Sequence, residues 1–208
     1  MAVTANLYGK AYQRLLAGDV NVLSDTLKMA LVQAAHTPDL DAHDYFNDIT
    51  NEASGTGYTA GGQALASKTV TLTAAASWSS QWTANTAYAV GDVVRKVSSN
   101  GHLYRCIVAG TSHASVEPTF PTTSGATVTD NTVTWAEIGR SIVVVDAADP
   151  SWASSEITAR YGVVYKDTGS AATSPLLMLV NFGIDYVSQG GPFTVTLPAL
   201  GLWNHATP

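Results

Sequence analysis

The chain has 208 residues, of which 46% are hydrophobic and 12% are charged, and its formal net charge is −6. Its 10 lysines and arginines are outnumbered by 16 acids and form no basic cluster, which argues against a nucleic-acid partner. No stretch reaches the roughly 18 to 20 apolar residues of a membrane span, and Met1 to Gly18 lacks the features of a secretory leader. We therefore expect a protein without membrane insertion that is made in the cytosol.

The first half of the chain predicts two short helices and one strand. Apolar residues recur at spacings of three and four from Leu7 onward, which predicts an amphipathic helix that ends at Gly18. Asp25 to Gln33 alternates apolar and polar residues, as a half-buried strand does. Thr37-Pro38-Asp39 combines an N-cap, a first-turn proline and an acid, and it predicts a second short helix running toward Ile49.

The remaining flanking segments predict strands separated by turns. A glycine-rich turn from Gly55 to Gly62 precedes a strand candidate at Ala64 to Thr73. Further candidates follow the middle of the chain, at Ser141 to Asp146, Ile157 to Lys166, Leu176 to Phe182, Phe193 to Leu197 and Leu200 to Trp203. We therefore predict a mainly-β protein whose host domain is a β-sandwich or jelly-roll-like fold with two short helices.

The middle of the chain differs in character from its flanks. Gln81 to Gly139 contains the loop-rich stretches Ser98 to Gly101 and Thr119 to Gly125 between short strand candidates. Loops at hairpin tips tolerate added domains. We predict that residues 81–140 form a small inserted all-β module, and that residues 1–80 and 141–208 together form the host domain.

Four aromatic residues of this middle segment are the candidate binding residues, namely Trp82, Tyr88, Tyr104 and Trp135. In a module of about 60 residues, large rings are an efficient way to build a small core. The same rings, if exposed, present flat apolar faces on which sugars can pack. Both roles remain open from the sequence. Gly91-Asp92 predicts a turn before the next strand.

The residue types do not assemble a catalytic, metal or cofactor site. The acids between Asp39 and Glu52 lack the glycine and ligand order of a calcium loop, and the 5 histidines form no zinc-like pair. Cys106 is the single cysteine, and we expect it to be a small buried hydrophobe. No nucleophile motif accompanies the serines. We predict no catalytic residues, no metal and no cofactor.

A set of motifs in the middle segment carries a resemblance to a known group. These motifs are Trp82, Ala87-Tyr88, Gly91-Asp92-Val93-Val94, Tyr104-Arg-Cys106, Ala109-Gly-Thr-Ser112, Glu117-Pro-Thr-Phe-Pro121 and Thr132-Val-Thr-Trp135. The segment resembles small β modules of phage structural proteins that are related to chitin- and cellulose-type carbohydrate-binding modules. The resemblance implies a β module with a potential for glycan binding.

The flanking segments carry a second resemblance. Its motifs include Asn6-Leu-Tyr-Gly9, Asp25-Thr-Leu-Lys28, His43-Asp-Tyr45, Gly55-Thr-Gly-Tyr-Thr-Ala-Gly-Gly62, Ser151-Trp-Ala-Ser154 and Ile157-Thr-Ala-Arg-Tyr161. They resemble small proteins encoded among the head and neck genes of tailed bacteriophages. In such proteins the segment equivalent to Ala74 to Val145 is a short turn, which favours the insertion interpretation.

Together the resemblances imply a non-enzymatic structural component of a phage virion, assembled in the host cytoplasm. The first hypothesis is a capsid decoration protein that binds the major capsid protein or other virion proteins and self-associates, with the module projecting outward toward surface glycans. The second hypothesis places it in the neck, tail or fibre attachment. A third is a polysaccharide-degrading enzyme, for which Asp92, Glu117, Asp130 and Glu137 are the nearest acids.

Overall fold

The computed structural model describes residues 4–78, 80–198 and 201–207. In chain order the strands are β1 (Thr4–Leu7), β2 (Leu27–Val32), β3 (Gln63–Ala64), β4 (Thr69–Ala74), β5 (Ala87–Tyr88), β6 (Val93–Arg95), β7 (Leu103–Val108), β8 (Gly110–Thr111), β9 (Thr127–Asp130), β10 (Val133–Glu137), β11 (Ser141–Asp146), β12 (Ser151–Trp152), β13 (Thr158–Lys166), β14 (Leu176–Val187), β15 (Phe193–Thr194) and β16 (Trp203–Thr207). The described residues add one α-helix, α1 (Ala11–Ala17), and 3₁₀ turns at Phe46–Asp48, Ala75–Ser77 and Ala171–Thr173. The mainly-β prediction is confirmed.

The chain divides into two compact units. Unit 1 consists of Met1–Val70 and Val145–Trp203, and unit 2 consists of Thr71–Val144 and Asn204–Pro208. The boundaries fall inside β4, β11 and β16, which form a three-stranded sheet in the order β16-β11-β4. The predicted insert, residues 81–140, begins and ends outside these three strands. The division into a host domain and an insert stays a prediction.

Unit 1 is built on an antiparallel sheet in the order β1-β14-β13-β2-β3. The long strands β13 and β14 lie at its centre, where β13 pairs with β2 from Tyr161 opposite Val32 to Lys166 opposite Leu27. The two-stranded sheet of β12 and β15 contributes Trp152 and Phe193, whose rings meet edge to face at 6.1 Å in the same apolar core. Apolar residues from two sheets thus share one core, as in a β-sandwich.

The strand predicted at Asp25 to Gln33 exists as β2, but it is buried on both faces. Lys28 alone is partly exposed, and the other five residues of β2 are buried. The glycine-rich turn and the residues just before it cover this strand: the Tyr58 hydroxyl accepts the Leu31 N–H at 3.0 Å, and Ala53 N–H donates to the Leu31 carbonyl at 2.8 Å. The prediction of a half-buried strand was therefore wrong.

The first predicted helix is confirmed in type and in its end. Gly18 closes α1 with φ 81°, and its N–H contacts the carbonyls of Arg14 and Leu15. The helix starts later than predicted, at Ala11, because Leu7 belongs to β1 and pairs with Met178 of β14. Sheet pairing at this end of the chain thus shortens the helix.

The second predicted helix, from Thr37 toward Ile49, does not form. Only Phe46–Asp48 makes a single 3₁₀ turn. The Asp39 carboxylate instead accepts the backbone N–H groups of Asp41 at 3.0 Å and Ala42 at 2.9 Å, which fixes a local turn. Aspartate side chains compete with helical hydrogen bonds in this way, so the described residues of unit 1 contain one α-helix rather than the two predicted.

Other strand limits also differ from prediction, and β14 runs to Val187 rather than ending at Phe182. Ala64 to Thr73 is split into β3 and β4, since Ser67 adopts φ 50°, which a strand does not allow. Phe193 to Leu197 is a strand only at β15. The prediction that began at Leu200 starts outside the described residues, and the last strand is β16.

Candidate functional site

Unit 2 contains a four-stranded antiparallel sheet in the order β6-β7-β10-β9. Trp135 of β10 lies opposite Cys106 of β7 and opposite Val128 of β9. The predicted turn at Gly91-Asp92 is present, with Gly91 at φ 100° and the Asp92 carboxylate accepting the Ala89 N–H at 2.8 Å. These local signals therefore place the strands as the sequence predicts.

An aromatic core fills the space beside this sheet. Its buried members are Trp82, Val94, Tyr104, Cys106, Phe120, Val133 and Trp135. The ring of Tyr104 stacks on Phe120 with centroids 4.1 Å apart, and Tyr88 meets Trp135 edge to face at 4.8 Å. Such ring pairs contribute about 0.5 to 1.5 kcal/mol beyond the burial of their area.

The structure places three of the four predicted binding residues in this core. Tyr104 and Trp135 are 0% exposed and Trp82 is 7% exposed. Tyr88 is half-buried, and its hydroxyl accepts the Thr83 N–H at 2.9 Å. Trp82, Tyr104 and Trp135 therefore have the core role that the sequence left open. Direct contact of the four residues with sugar stays a prediction, and Tyr88 has the most accessible ring for it.

A buried carboxylate organises the two core tryptophans. Asp130 Oδ2 accepts the indole N–H of Trp82 at 2.7 Å and that of Trp135 at 3.1 Å. Asp130 Oδ1 accepts the backbone N–H of His113 at 2.8 Å. Asp130 is only 3% exposed, so these three donors replace water around its charge. No residue pattern in the sequence identifies this role.

A second buried acid joins β10 to the start of β7. Glu137 Oε1 lies 2.8 Å from His102 Nδ1 and also accepts the Gly139 N–H at 2.7 Å. A carboxylate only accepts hydrogen bonds, so His102 Nδ1 carries a hydrogen. Glu137 Oε2 has no partner among the described residues, and the Glu137 side chain is 1% exposed. The pair therefore joins β10 to the start of β7 with both side chains largely buried.

Tyr104 and Cys106 are structural groups on β7. The Tyr104 hydroxyl donates to the Pro121 carbonyl at 3.0 Å and accepts from the Asn100 side chain at 2.6 Å, which holds two loops together. Burial raises the pKa of Tyr104 and also that of the Cys106 thiol. Cys106 is buried, so the expectation that it is a small buried hydrophobe is confirmed.

Trp78 is an aromatic residue near the module that the sequence patterns did not single out. It is half-buried, and its indole N–H donates to the Val93 carbonyl at 3.1 Å. Among the described residues of 81–140, the large exposed apolar side chains are aliphatic, namely Val90, Val97, Ile107, Val108 and Val116. The signal that could have identified Trp78 is its place only three residues before Gln81, where the module motifs begin.

The acidic segment of unit 1 is used for local structure. Asp48 Oδ2 accepts the Asp44 N–H at 2.7 Å and the Tyr45 N–H at 3.0 Å. The Glu52 carboxylate accepts the hydroxyl of Tyr58 at 2.7 Å. In the part of the chain that the structure describes, no group of three or more His, Cys, Asp or Glu is placed to hold a metal ion.

Comparison with known proteins gives one match. Residues 81–125 match carbohydrate-binding module family 5/12, a non-catalytic type of domain. The match covers less than half of the chain and lies entirely inside unit 2. No curated protein and no solved structure matches the chain. Among the described residues, no helix is both long and apolar enough to span a membrane.

Proposed function

We propose that this protein is a non-enzymatic glycan-binding structural protein whose binding element is the module at residues 81–140. The single observation that supports this function best is the match of residues 81–125 to carbohydrate-binding module family 5/12. The core of Trp82, Tyr104 and Trp135 gives the module a rigid body, and a rigid scaffold reduces the entropy lost on binding.

The positions of the module's acids support a non-catalytic function. Asp130 and Glu137 are each 3% exposed, and their carboxylates accept hydrogen bonds from neighbouring groups of the protein. Asp92 accepts the Ala89 N–H, and Glu117 accepts the Val97 N–H at 2.7 Å. Glycoside hydrolysis needs a pair of carboxylates facing one open cleft. Each of these four acids already has a structural partner, so the polysaccharide-degrading alternative has little support.

The test of glycan binding is a titration of the full chain against insoluble chitin, insoluble cellulose and bacterial envelope polysaccharide. The module function predicts saturable binding to at least one of them without release of soluble oligosaccharide. Absence of binding to all three would contradict the proposal, and oligosaccharide release would favour the enzymatic alternative.

We further propose that the protein is a component of a tailed-phage virion, assembled in the host cytoplasm, and most specifically a capsid decoration protein. The flanking motifs Gly55 to Gly62 and Ile157 to Tyr161 support this through their resemblance to phage head and neck proteins. In this role the host domain binds the major capsid protein as a homo-oligomer, and the module reaches surface glycans. Attachment in the neck, tail or fibre is the alternative.

Electron cryo-microscopy of the particles of the phage that encodes the chain decides between these positions. A decoration protein predicts hundreds of copies distributed over the shell at symmetry positions. A small number of copies confined to the tail axis would exclude decoration and favour the neck or tail alternative. Particles that lack the chain altogether would contradict both.

A further inference from the structure

The tryptophans of this protein divide according to what they pack against. The chain has 5 tryptophans. Trp82 and Trp135 lie in the core of unit 2, while Trp152 and Trp203 belong to or pack on the core of unit 1. Trp78 is half-buried and, within the described residues, belongs to neither core. Because Trp78 is only partly buried, part of the residue's surface is open to solvent, where a ligand can reach it.

Trp78 is nevertheless held in place by the edge of a sheet. Residues 80–82 run along the outer side of β6, where Arg95 N–H donates to the Ser80 carbonyl at 3.0 Å and Trp82 N–H donates to the Arg95 carbonyl at 2.9 Å. The Trp78 indole N–H satisfies the Val93 carbonyl of the same strand. Because both its backbone and its side chain are tied to β6, the ring loses little further freedom on binding.

Arg95 of β6 links the backbone of Trp78 to the side chain of Gln81. Arg95 Nε donates to the Trp78 carbonyl at 2.7 Å. The Gln81 side chain is exposed, and the hydrogen-bond pattern around it assigns the amide oxygen to the side that faces Arg95, where it accepts from Nη1 at 3.1 Å. The amide nitrogen of Gln81 then faces away from the guanidinium, and its two hydrogens are available to a hydroxyl acceptor.

We propose that Trp78 and Gln81 form a sugar-contact site, in which the indole face packs on the C–H face of a pyranose ring and the Gln81 amide donates to a sugar hydroxyl. An aromatic face combined with a nearby polar donor suits the amphipathic surface of a pyranose. This inference rests on the proposed glycan-binding function. The proposed sugar contact is Trp78, which precedes the matched residues 81–125, rather than the buried core rings.

The experiment compares variants of the full chain in binding to the polysaccharide that the parent binds. Trp78→Leu keeps apolar volume without a flat face, and we expect it to weaken binding about tenfold or more. Trp78→Tyr keeps a flat ring and is expected to remain within about threefold of the parent. Gln81→Ala is expected to weaken binding by about threefold to tenfold, the loss of one hydrogen bond. Trp203→Leu removes a half-buried indole from unit 1 and serves as the matched control.

A second measurement protects the test against misfolding of the variants. In the parent chain labelled with ¹⁵N, addition of soluble oligosaccharide should shift the Trp78 indole resonance more than those of the other tryptophans. The Trp78 resonance is identified by its absence from the Trp78→Tyr spectrum.

The outcomes separate this inference from the function on which it rests. Glycan binding by the parent together with equal binding by Trp78→Leu, or an unshifted Trp78 resonance, overturns the Trp78 site and leaves the proposed function intact. Failure of the parent to bind any of the polysaccharides overturns both.

Discussion

At the scale of single residues, the buried charge of Asp130 determines how the two core tryptophans of unit 2 are oriented. Its two oxygens serve three donors, and the two indole N–H groups would otherwise be buried without a partner. Leaving a buried donor unsatisfied costs about 1 to 3 kcal/mol. The aromatic core therefore depends on one acid that lies 48 positions from Trp82 in the sequence.

We predict that Asp130→Asn destabilises unit 2 by about 2 to 4 kcal/mol, because an amide nitrogen replaces one accepting oxygen and leaves at least one donor unpaired. Urea unfolding followed by tryptophan fluorescence measures the change. Asp185→Asn is the control, since the Asp185 side chain is 49% exposed and its pairing with Arg160 is of the weak surface type. Equal stability of the Asp130 and Asp185 variants would contradict the role given to Asp130.

Asp48 provides a prediction about pH. Hydrogen bonds from the backbone N–H groups of Asp44 and Tyr45 hold the pKa of Asp48 below its ordinary value of 3.8. A carboxyl whose pKa is lowered by folding contributes stability above the unfolded pKa, and that contribution is lost as the pH falls through the folded value. We therefore expect the melting temperature of unit 1 to decrease when the pH is lowered below about 4.

Asp48→Asn should reduce this pH dependence, because the amide does not titrate. The measurement is the melting temperature of parent and variant between about pH 7 and pH 2.5. If Asp48→Asn lost stability with acid as steeply as the parent chain, Asp48 would not contribute to the effect.

At the scale of elements, the glycine-rich segment from Gly55 to Gly62 packs its backbone directly against neighbouring chain. A Cβ at Gly62 would overlap the carbonyl oxygen of Met29 in β2, and φ at Gly62 is +70°. A Cβ at Gly55 would overlap the carbonyl oxygen of Glu156. The glycines are therefore required by close backbone approach, and the interpretation of this segment as a structural turn is supported.

We predict that Gly62→Ala destabilises unit 1 by more than about 3 kcal/mol, since the overlap is with backbone and cannot be relieved by a side-chain rotation. Gly18→Ala is the matched control. Gly18 also has a positive φ, but a Cβ there meets nothing within 4 Å. Its substitution should cost about 1 kcal/mol. Chemical unfolding of both variants checks the difference, and equal losses would show that backbone contact at Gly62 is unimportant.

At the scale of the whole molecule, the two units have separate apolar cores. The core of unit 1 includes Met29, Val163 and Phe182, and that of unit 2 includes Trp82, Tyr104 and Trp135. Each core has its own sheet and its own buried polar contacts. Separate cores are the physical basis for separate folding units.

Calorimetry of the intact chain is therefore expected to show two unfolding transitions. Asp130→Asn should lower the transition temperature of unit 2 and leave that of unit 1 unchanged. Gly62→Ala should lower the transition temperature of unit 1 and leave that of unit 2 unchanged. A single transition lowered equally by both variants would contradict independent folding of the units. The same result would remove support for residues 81–140 as an inserted module.

The sequence by itself determined the features that depend on near neighbours. Alternation and β-branched runs identified the mainly-β class, Gly18 marked the end of α1, and Gly91-Asp92 marked the turn before β6. The aromatic motifs between Trp82 and Trp135 indicated the carbohydrate-binding family that residues 81–125 match. These signals are reliable because a turn, a cap or an alternating face is formed by residues adjacent in the chain.

Only the tertiary structure decided features that depend on distant partners. Thr37 to Ile49 carries a helix-start pattern, yet aspartate side chains and sheet contacts hold it in turns. Trp82 and Trp135 are buried because Asp130 satisfies their indole N–H groups, whereas Trp78 lies outside both cores. Sequence shows that a ring is apolar, but its exposure is fixed by which segments fold against it, and those contacts join residues far apart in the chain.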